Sequence, residues 1–207
     1  MNAQPSPDCG SAVPPSPGAP TGYRGRAFVY VLVSAGPEDM VKVGLTHDPL
    51  QRWSGFHPRW FEAFDLDHSM LVETESRADA QALETGLHRA LREHQCPVPL
   101  TMRLAAGGGT EWYRGAYPVL RRLLQAQVDA GYIVHWRSRE YLAAPMRSQR
   151  EQLFELLHVA LADHHAGALG AVRRRAIRDL FDAHRLFDGS LVQQLPDGLV
   201  EDLGLLR

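Results

Sequence analysis

Residues 28–53 read FVYVLVSAGPEDMVKVGLTHDPLQRW and predict a strand, a short loop, a second strand and the start of a helix. Hydrophobic side chains alternate with the two-residue period of a β-strand over 27–33 and again over 40–45. The loop between them contains glycine and proline, which suits an antiparallel hairpin. We therefore expect Tyr30 and Lys42 to be near neighbours on one face of this hairpin.

The helix that follows the hairpin is predicted to begin at Asp48. Aspartate is a favoured N-cap residue, and Pro49 suits the first helical position. Arg52 then lies one turn into the helix. Lys42 is the single lysine of the chain, because the other members of its 22 Lys and Arg residues are arginine. Its retention hints at a function, although chance is the alternative.

Four further segments extend the hairpin into an α+β fold. Alternation predicts a third strand at 64–74 and a short one at 132–136. Helical spacing of apolar residues predicts a helix that begins after Ser76 and another at 117–130. We expect a small antiparallel sheet flanked by helices.

Four short pieces of sequence carry chemically informative residues in a fixed order. They are VYVL at 29–32, VKVGLT at 41–46, Glu84 with His88, and Glu111-Trp112-Tyr113. Together they resemble the GIY-YIG nuclease superfamily, in its phage-type and meiotically up-regulated branch. The resemblance spans about residues 25–118, with Phe28 in place of the glycine of the first half-motif and Lys42 in place of the tyrosine of the second.

This resemblance implies metal-dependent hydrolysis of DNA in a single step, with inversion at phosphorus. It makes Tyr30 the general base, and Lys42 is placed to lower the pKa of that phenol. Arg52 is expected to bind the scissile phosphate, and Glu84 to hold one Mg²⁺ or Mn²⁺. His88 is expected to orient the phosphate or relay a proton. These side chains should then converge on one open surface.

Each of these residues also has a structural alternative. Tyr30 suits a half-buried strand position, Arg52 and Glu84 suit solvated helix faces, and His88 suits a structural role. The spacing of Glu84 and His88 is compatible with zinc, but no third ligand is evident.

One departure from the superfamily concerns a late asparagine in its site. The only asparagine of this chain is Asn2, so that contact is missing. Either Glu111 or His88 takes its place, or activity is weak or lost. Gly44 is expected to permit a close approach beside the site.

Nucleic-acid binding outside the site has to come from local charge, because the formal net charge is −2. Arg174, Arg175 and Arg178 belong to the densest basic cluster and are predicted to contact backbone phosphates. A solvated surface paired with neighbouring aspartates is the alternative. Trp53, Trp60 and Phe61 are available to stack on bases, with core packing as the alternative.

The cellular setting is inferred from the few cysteines, the short apolar runs and the N-terminal sequence. Its two cysteines, Cys9 and Cys96, do not indicate a structural disulfide, and no apolar run is long enough for a membrane span. The N-terminus shows no signal-peptide pattern. We expect a cytoplasmic protein that binds DNA and no membrane. The oligomeric state is left open.

The segment after Arg137 carries helix patterns only. Amphipathic helices are predicted at 148–164 and 171–187, and a third is broken at Pro196. This segment is either a small helical domain or a buttress on the first one. The chain is thus divided into a disordered Pro-rich arm (1–24), a GIY-YIG-like nuclease domain (25–136) and a helical C-terminal region (137–207).

Two other functions compete with the endonuclease. One is a nucleic-acid- or partner-binding module that keeps the fold without cleaving. The other places the main function in the C-terminal helices, with the nuclease-like domain as an attachment.

Overall fold

The computed structural model of the chain describes residues 25–99, 102 and 109–206. The predicted arm at 1–24 lies outside the described residues. The strands and helices run in this order: β1 Ala27–Ser34, β2 Met40–Thr46, α1 Pro49–Ser54, α2 Trp60–Ala63, β3 Phe64–Thr74, α3 Arg77–Ala90, β4 Trp112–Arg114, α4 Tyr117–Asp129, β5 Ile133–His135, α5 Ser138–Ser148, α6 Arg150–His165, α7 Ala171–Phe187 and α8 Leu199–Asp202.

The five strands form one antiparallel sheet in the order β4-β2-β1-β3-β5. The predicted hairpin is its centre, with Tyr30 opposite Gly44 and Leu32 opposite Lys42. The predicted α+β architecture is therefore confirmed.

The two faces of the sheet bury different side chains, as the alternation predicts. One face, which we call the Tyr30 face, carries Phe28, Tyr30 and Leu32 and is covered by residues of α1, α2 and α5. The opposite face, the valine face, carries Val29, Val31 and their neighbours on β2 and is covered by α3 and α4. Both faces are thus closed, and β4 covers only the first part of β2.

The C-terminal helices have a core of their own. Leu153 and Leu157 of α6 pack with Ile177 and Phe181 of α7 and with apolar residues of the last segment. Helix α7 also contributes Ala183 to the core of the Tyr30 face. The region is therefore both self-packed and joined to the sheet, and the boundary at residue 137 stays a prediction.

Helix α5 is the main difference from the sequence prediction, which began the first C-terminal helix at 148. Leu142 and Met146 of α5 are buried against the Tyr30 face. Pro145 lies inside α5 and masks its helical pattern. Among the described residues, none of the helices has both the length and the apolar character needed to cross a bilayer.

Candidate functional site

Tyr30 is fully buried at the centre of the sheet, and its ring lies on Gly44 of the paired strand. A Cβ added at Gly44 would lie 2.4 Å from the Tyr30 hydroxyl oxygen and 2.6 Å from Cζ. Only glycine leaves room for the ring at this position. The predicted close approach at Gly44 is therefore made by the candidate catalytic side chain itself.

The buried Tyr30 hydroxyl forms no hydrogen bond of ordinary length and angle within the described structure, although the Arg52 guanidinium lies near enough to act on it. Burial raises the pKa of the Tyr30 phenol above its ordinary value, and the nearby Arg52 guanidinium acts in the opposite direction. The expectation of a lowered pKa is therefore wrong for this conformation. The cation that favours the phenolate is Arg52, not Lys42.

Lys42 is fully buried and forms an ion pair with Glu111, with 2.5 Å between Nζ and Oε2. Its ammonium also lies 5.5 Å from the centroid of the Phe56 ring and 5.7 Å from that of Trp112. Burial lowers the pKa of Lys42, and the hydrogen bond to Glu111 opposes this shift. Glu111, one of the two residues expected to replace the missing asparagine, therefore lies directly beside Lys42.

Local backbone pairing places Glu111 beside Lys42. Trp112 pairs with Lys42 across β2 and β4, and the carbonyl of Glu111 accepts a hydrogen bond of 3.1 Å from the Val43 amide. The side chain of Glu111 remains 29% exposed, whereas Lys42 beneath it is closed off. The pair therefore presents its acidic member to solvent.

Arg52 lies at the surface above this buried layer. The Asp48 carboxylate accepts a hydrogen bond from the Gln51 amide and so caps α1, as predicted. The Arg52 guanidinium lies over the Phe56 ring, 4.9 Å from its centroid. It is exposed and close to the Tyr30 hydroxyl, so it is the group that an incoming anion would meet first.

Glu84 belongs to the buried stripe of α3, together with Ala80 and Leu87. One carboxylate oxygen accepts a 2.8 Å hydrogen bond from Gln81, and the other lies 3.7 Å from His88 Nε2, beyond hydrogen-bonding distance. Its helix packs on the valine face, opposite the Tyr30 ring. The Glu84 charge nevertheless contributes to raising the pKa of Tyr30.

His88 contacts Tyr113, a residue that the sequence interpretation did not assign to the site. Its Nδ1 lies 2.6 Å from the Tyr113 hydroxyl, and the two rings stack with centroids 5.8 Å apart. Burial raises the pKa of Tyr113 to about 12, and the charges of Glu111 and Glu84 add to that shift. Tyr113 belongs to the Glu111-Trp112-Tyr113 segment, and this segment is the sequence feature from which its place in the site could have been predicted.

The predicted convergence is thus met in part. Tyr30, Lys42 and Arg52 share one face, but Tyr30 and Lys42 are closed to solvent. Glu84 approaches from the other side of the sheet. The site is a buried polar layer with Arg52 and Glu111 at its surface.

Metal-binding residues are sparse in the described ranges 25–99, 102 and 109–206. They contain no group of three or more His, Cys, Asp or Glu side chains that could hold a metal ion. The zinc alternative therefore gains no support there. Mg²⁺ needs fewer protein ligands, since it is commonly held by one or two carboxylates with water completing the shell. The Glu84 oxygen that lacks a hydrogen bond fits this mode.

Two arginines of the α7 cluster make contacts within the protein, whereas the sequence predicts that they contact backbone phosphates. Arg174 lies 3.3 Å from His164 of α6, and Arg178 donates a 2.7 Å hydrogen bond to the Gly204 carbonyl. Arg175 is exposed. Trp53, Trp60 and Phe61 are buried in the core of the Tyr30 face, which supports the packing alternative for them.

Comparison with known families bears on the same residues. Residues 27–129 match the family model of the T5orf172 domain. The T5orf172 domain is found in phage and endonuclease-like proteins. Its match contains Tyr30, Lys42, Arg52, Glu84 and Glu111 and ends with α4, before the C-terminal helices. No curated protein and no solved structure matches the chain.

Proposed function

We propose that the T5orf172 region is a metal-dependent endonuclease of the GIY-YIG type that hydrolyses DNA phosphodiester bonds. The observation that carries this proposal is the Tyr30 hydroxyl, which is buried without a well-formed hydrogen bond beside Arg52 and the Lys42–Glu111 ion pair. A buried hydroxyl left unpaired costs about 1–3 kcal/mol, so packing alone disfavours it. Polar groups retained at such a cost are typical of functional sites.

Arg52 has the geometry of a phosphate ligand. Its planar guanidinium is exposed and held over Phe56, where it can donate two parallel hydrogen bonds to phosphate oxygens. Tyr30 is fully buried with its hydroxyl near that guanidinium, so the proposal requires Arg52 to shift when phosphate binds and so to open the way to Tyr30. Phosphate binding and opening of Tyr30 are therefore linked steps in this proposal.

Tyr30 acts as the base in the reaction that we propose. Water attacks phosphorus, its proton passes to the Tyr30 oxygen, and the bond to the opposite ester oxygen breaks. The phenol must first lose its own proton. Burial opposes that loss and Arg52 favours it. The rate is therefore expected to rise with pH.

Lys42 holds Glu111 in position rather than acting directly on Tyr30. Glu84 is the residue that would hold Mg²⁺ or Mn²⁺, with Glu111 the other carboxylate of the site. When bound, such an ion supplies charge neutralisation at the phosphate and the leaving oxygen.

The test is plasmid cleavage. Wild-type protein should relax and linearise supercoiled DNA with Mg²⁺ or Mn²⁺ and leave it intact with EDTA. Arg52→Ala should lower the rate at least about tenfold, since it removes a charged phosphate contact. Arg77→Ala removes an exposed arginine on α3 and should leave the rate unchanged. An equally active Arg52→Ala would contradict the proposed role.

A non-cleaving DNA-binding module is the second candidate. Complete burial of Tyr30 and Lys42, with the pKa of Tyr30 raised, is the observation that favours it. In this case the wild type binds DNA equally with EDTA and with Mg²⁺, and plasmid remains supercoiled under every metal condition.

A further inference from the structure

A charged crevice of about 520 Å³ lies between α2 and α7, apart from the candidate site. It is lined by four arginines, three carboxylates and one leucine: Arg59, Arg175, Arg178, Arg185, Glu62, Asp179, Asp182 and Leu205. The lining therefore carries one more positive charge than negative charge. The carboxylates do not form ion pairs equally with all four arginines.

Arg59 forms ion pairs with all three carboxylates of the crevice. Its guanidinium lies 2.7 Å from Asp179, 3.0 Å from Asp182 and 2.5 Å from Glu62. Side-chain exposure is 16% for Asp179 and 15% for Asp182, so both acids are largely withdrawn from solvent. Arg59 therefore offsets part of their negative charge from the α2 side of the crevice.

Three arginines of α7 line the other wall, and they share the remaining acidic charge so that the crevice keeps one excess positive charge. Arg175, Arg178 and Arg185 are spaced three and seven residues apart, which places them along one helical stripe. Arg178 is held by the Gly204 carbonyl, and Arg185 lies 3.5 Å from Asp182, which already binds Arg59. Arg175 is exposed.

We propose that this crevice binds backbone phosphates of nucleic acid through Arg175, Arg178 and Arg185, with Arg59 offsetting part of the acidic charge between them. Guanidinium groups match phosphate geometry, and clustered arginines bind backbone without reading sequence. The predicted set changes accordingly, because Arg174 turns to α6 and Arg185 takes its place. This inference rests on the proposed action on DNA.

The crevice is within reach of a DNA duplex bound at the candidate site. Arg59 follows Arg52 by seven residues, so their Cα atoms are at most about 25 Å apart. One turn of duplex spans about 34 Å. The Cα separation is shorter than one turn, so the proposal places the scissile phosphate at Arg52 and a flanking phosphate of the same duplex at the α7 arginines.

The test measures binding of a fluorescent 30-base-pair duplex in EDTA, so that cleavage plays no part. Association constants are measured over a range of salt concentrations for the full chain. Arg175→Ala/Arg185→Ala should flatten the plot of log K against log salt by up to about two units of slope. Arg178 is left in place because it also holds Gly204. Arg77→Ala/Arg122→Ala removes the same charge from exposed positions on α3 and α4 and is the control.

Each outcome bears on the inference separately from the proposed cleavage. A flatter slope for the crevice variant alone supports it, whether or not the wild type cleaves plasmid. Equal slopes for both variants and the wild type overturn it while leaving cleavage to stand on its own assay. An equal loss in both variants also overturns it, because the effect would then come from overall charge. A wild type that cleaves plasmid but shows no salt-dependent binding of the duplex overturns it as well.

Discussion

Tyr30 and Gly44 form the tightest pairing in the candidate site. The ring fills the space that any side chain at position 44 would need, since a Cβ there would lie 2.4 Å from the hydroxyl oxygen. Phenylalanine would satisfy the same packing without leaving a hydroxyl unpaired. Packing therefore does not account for the hydroxyl, which is consistent with the proposed role of Tyr30 as the base.

Tyr30→Phe separates these two explanations. Because the hydroxyl makes no well-formed hydrogen bond, its removal should leave the free energy of unfolding unchanged or raise it by up to about 1 kcal/mol. The same change should abolish plasmid cleavage and preserve duplex binding in EDTA. Urea unfolding and the cleavage assay measure the two effects.

Tyr132→Phe is the matched control for this experiment. The Tyr132 hydroxyl donates a 2.7 Å hydrogen bond to Asp79, so its loss should cost about 1 kcal/mol and leave cleavage intact. A destabilised Tyr30→Phe variant would show that the hydroxyl has a structural partner. A fully active one would remove Tyr30 from the mechanism.

Sequence alone predicts which way these side chains face but not how deeply they lie. Strand alternation places Tyr30 and Lys42 on one face, and the register agrees. The pKa of Tyr30 depends on burial, to which Met102 and Leu142 contribute from distant parts of the chain. Burial by segments that are distant in the sequence cannot be seen in the local strand pattern. The sequence therefore predicts the wrong direction for the pKa shift of Tyr30.

Among the elements, α7 is the one whose bounds the sequence predicts best. Its apolar stripe over 171–187 is long, and Gly170 and Gly189 flank it. In contrast, α5 has two buried apolar residues and an internal proline, so its periodicity is too short to identify. Glu84 shows the same limit within α3, since a carboxylate in the buried stripe breaks the hydrophobic pattern.

Helix α7 also carries a buried histidine that makes its packing sensitive to pH. His184 is 3% exposed, its Nε2 has no hydrogen-bond partner in the described structure, and burial lowers its pKa to about 4. The unfolded chain binds the proton more tightly, with a pKa near 6.5. Stability is therefore complete above about pH 6.5 and falls as the pH drops towards 4.

His184→Leu should remove this pH dependence. The wild type is expected to lose up to about 3 kcal/mol of unfolding free energy between pH 7 and pH 4 from this residue, and the variant should lack that part of the loss. Urea unfolding at several pH values measures it. His158→Leu, at an exposed position on α6, should keep the wild-type slope. Parallel curves for His184→Leu and the wild type would show that His184 titrates normally.

At the scale of the whole molecule, two kinds of contact join the sheet to the C-terminal helices. Apolar contacts come from α5 and α7, which place Met146 and Ala183 in the core of the Tyr30 face. Ionic contacts come from Arg59, which precedes α2 and reaches Asp179 and Asp182 of α7. The ionic contacts fix where α7 lies relative to α2, because each carboxylate binds the same guanidinium.

Arg59→Ala tests how much the ionic contacts contribute to this joint. Its removal leaves Asp179 largely buried without this partner and Asp182 with only the 3.5 Å contact to Arg185, which should lower the free energy of unfolding by about 1–3 kcal/mol. The Arg59 side chain is 30% exposed, so solvent screening keeps the loss well below that of a fully buried pair. Arg137→Ala removes an exposed pair with Glu140 and should cost less than about 0.5 kcal/mol. Asp179→Asn/Asp182→Asn in the Arg59→Ala background should recover part of the loss, because it removes the unpaired charges. If Arg59→Ala costs no more than Arg137→Ala, the apolar contacts alone hold the C-terminal helices against the sheet.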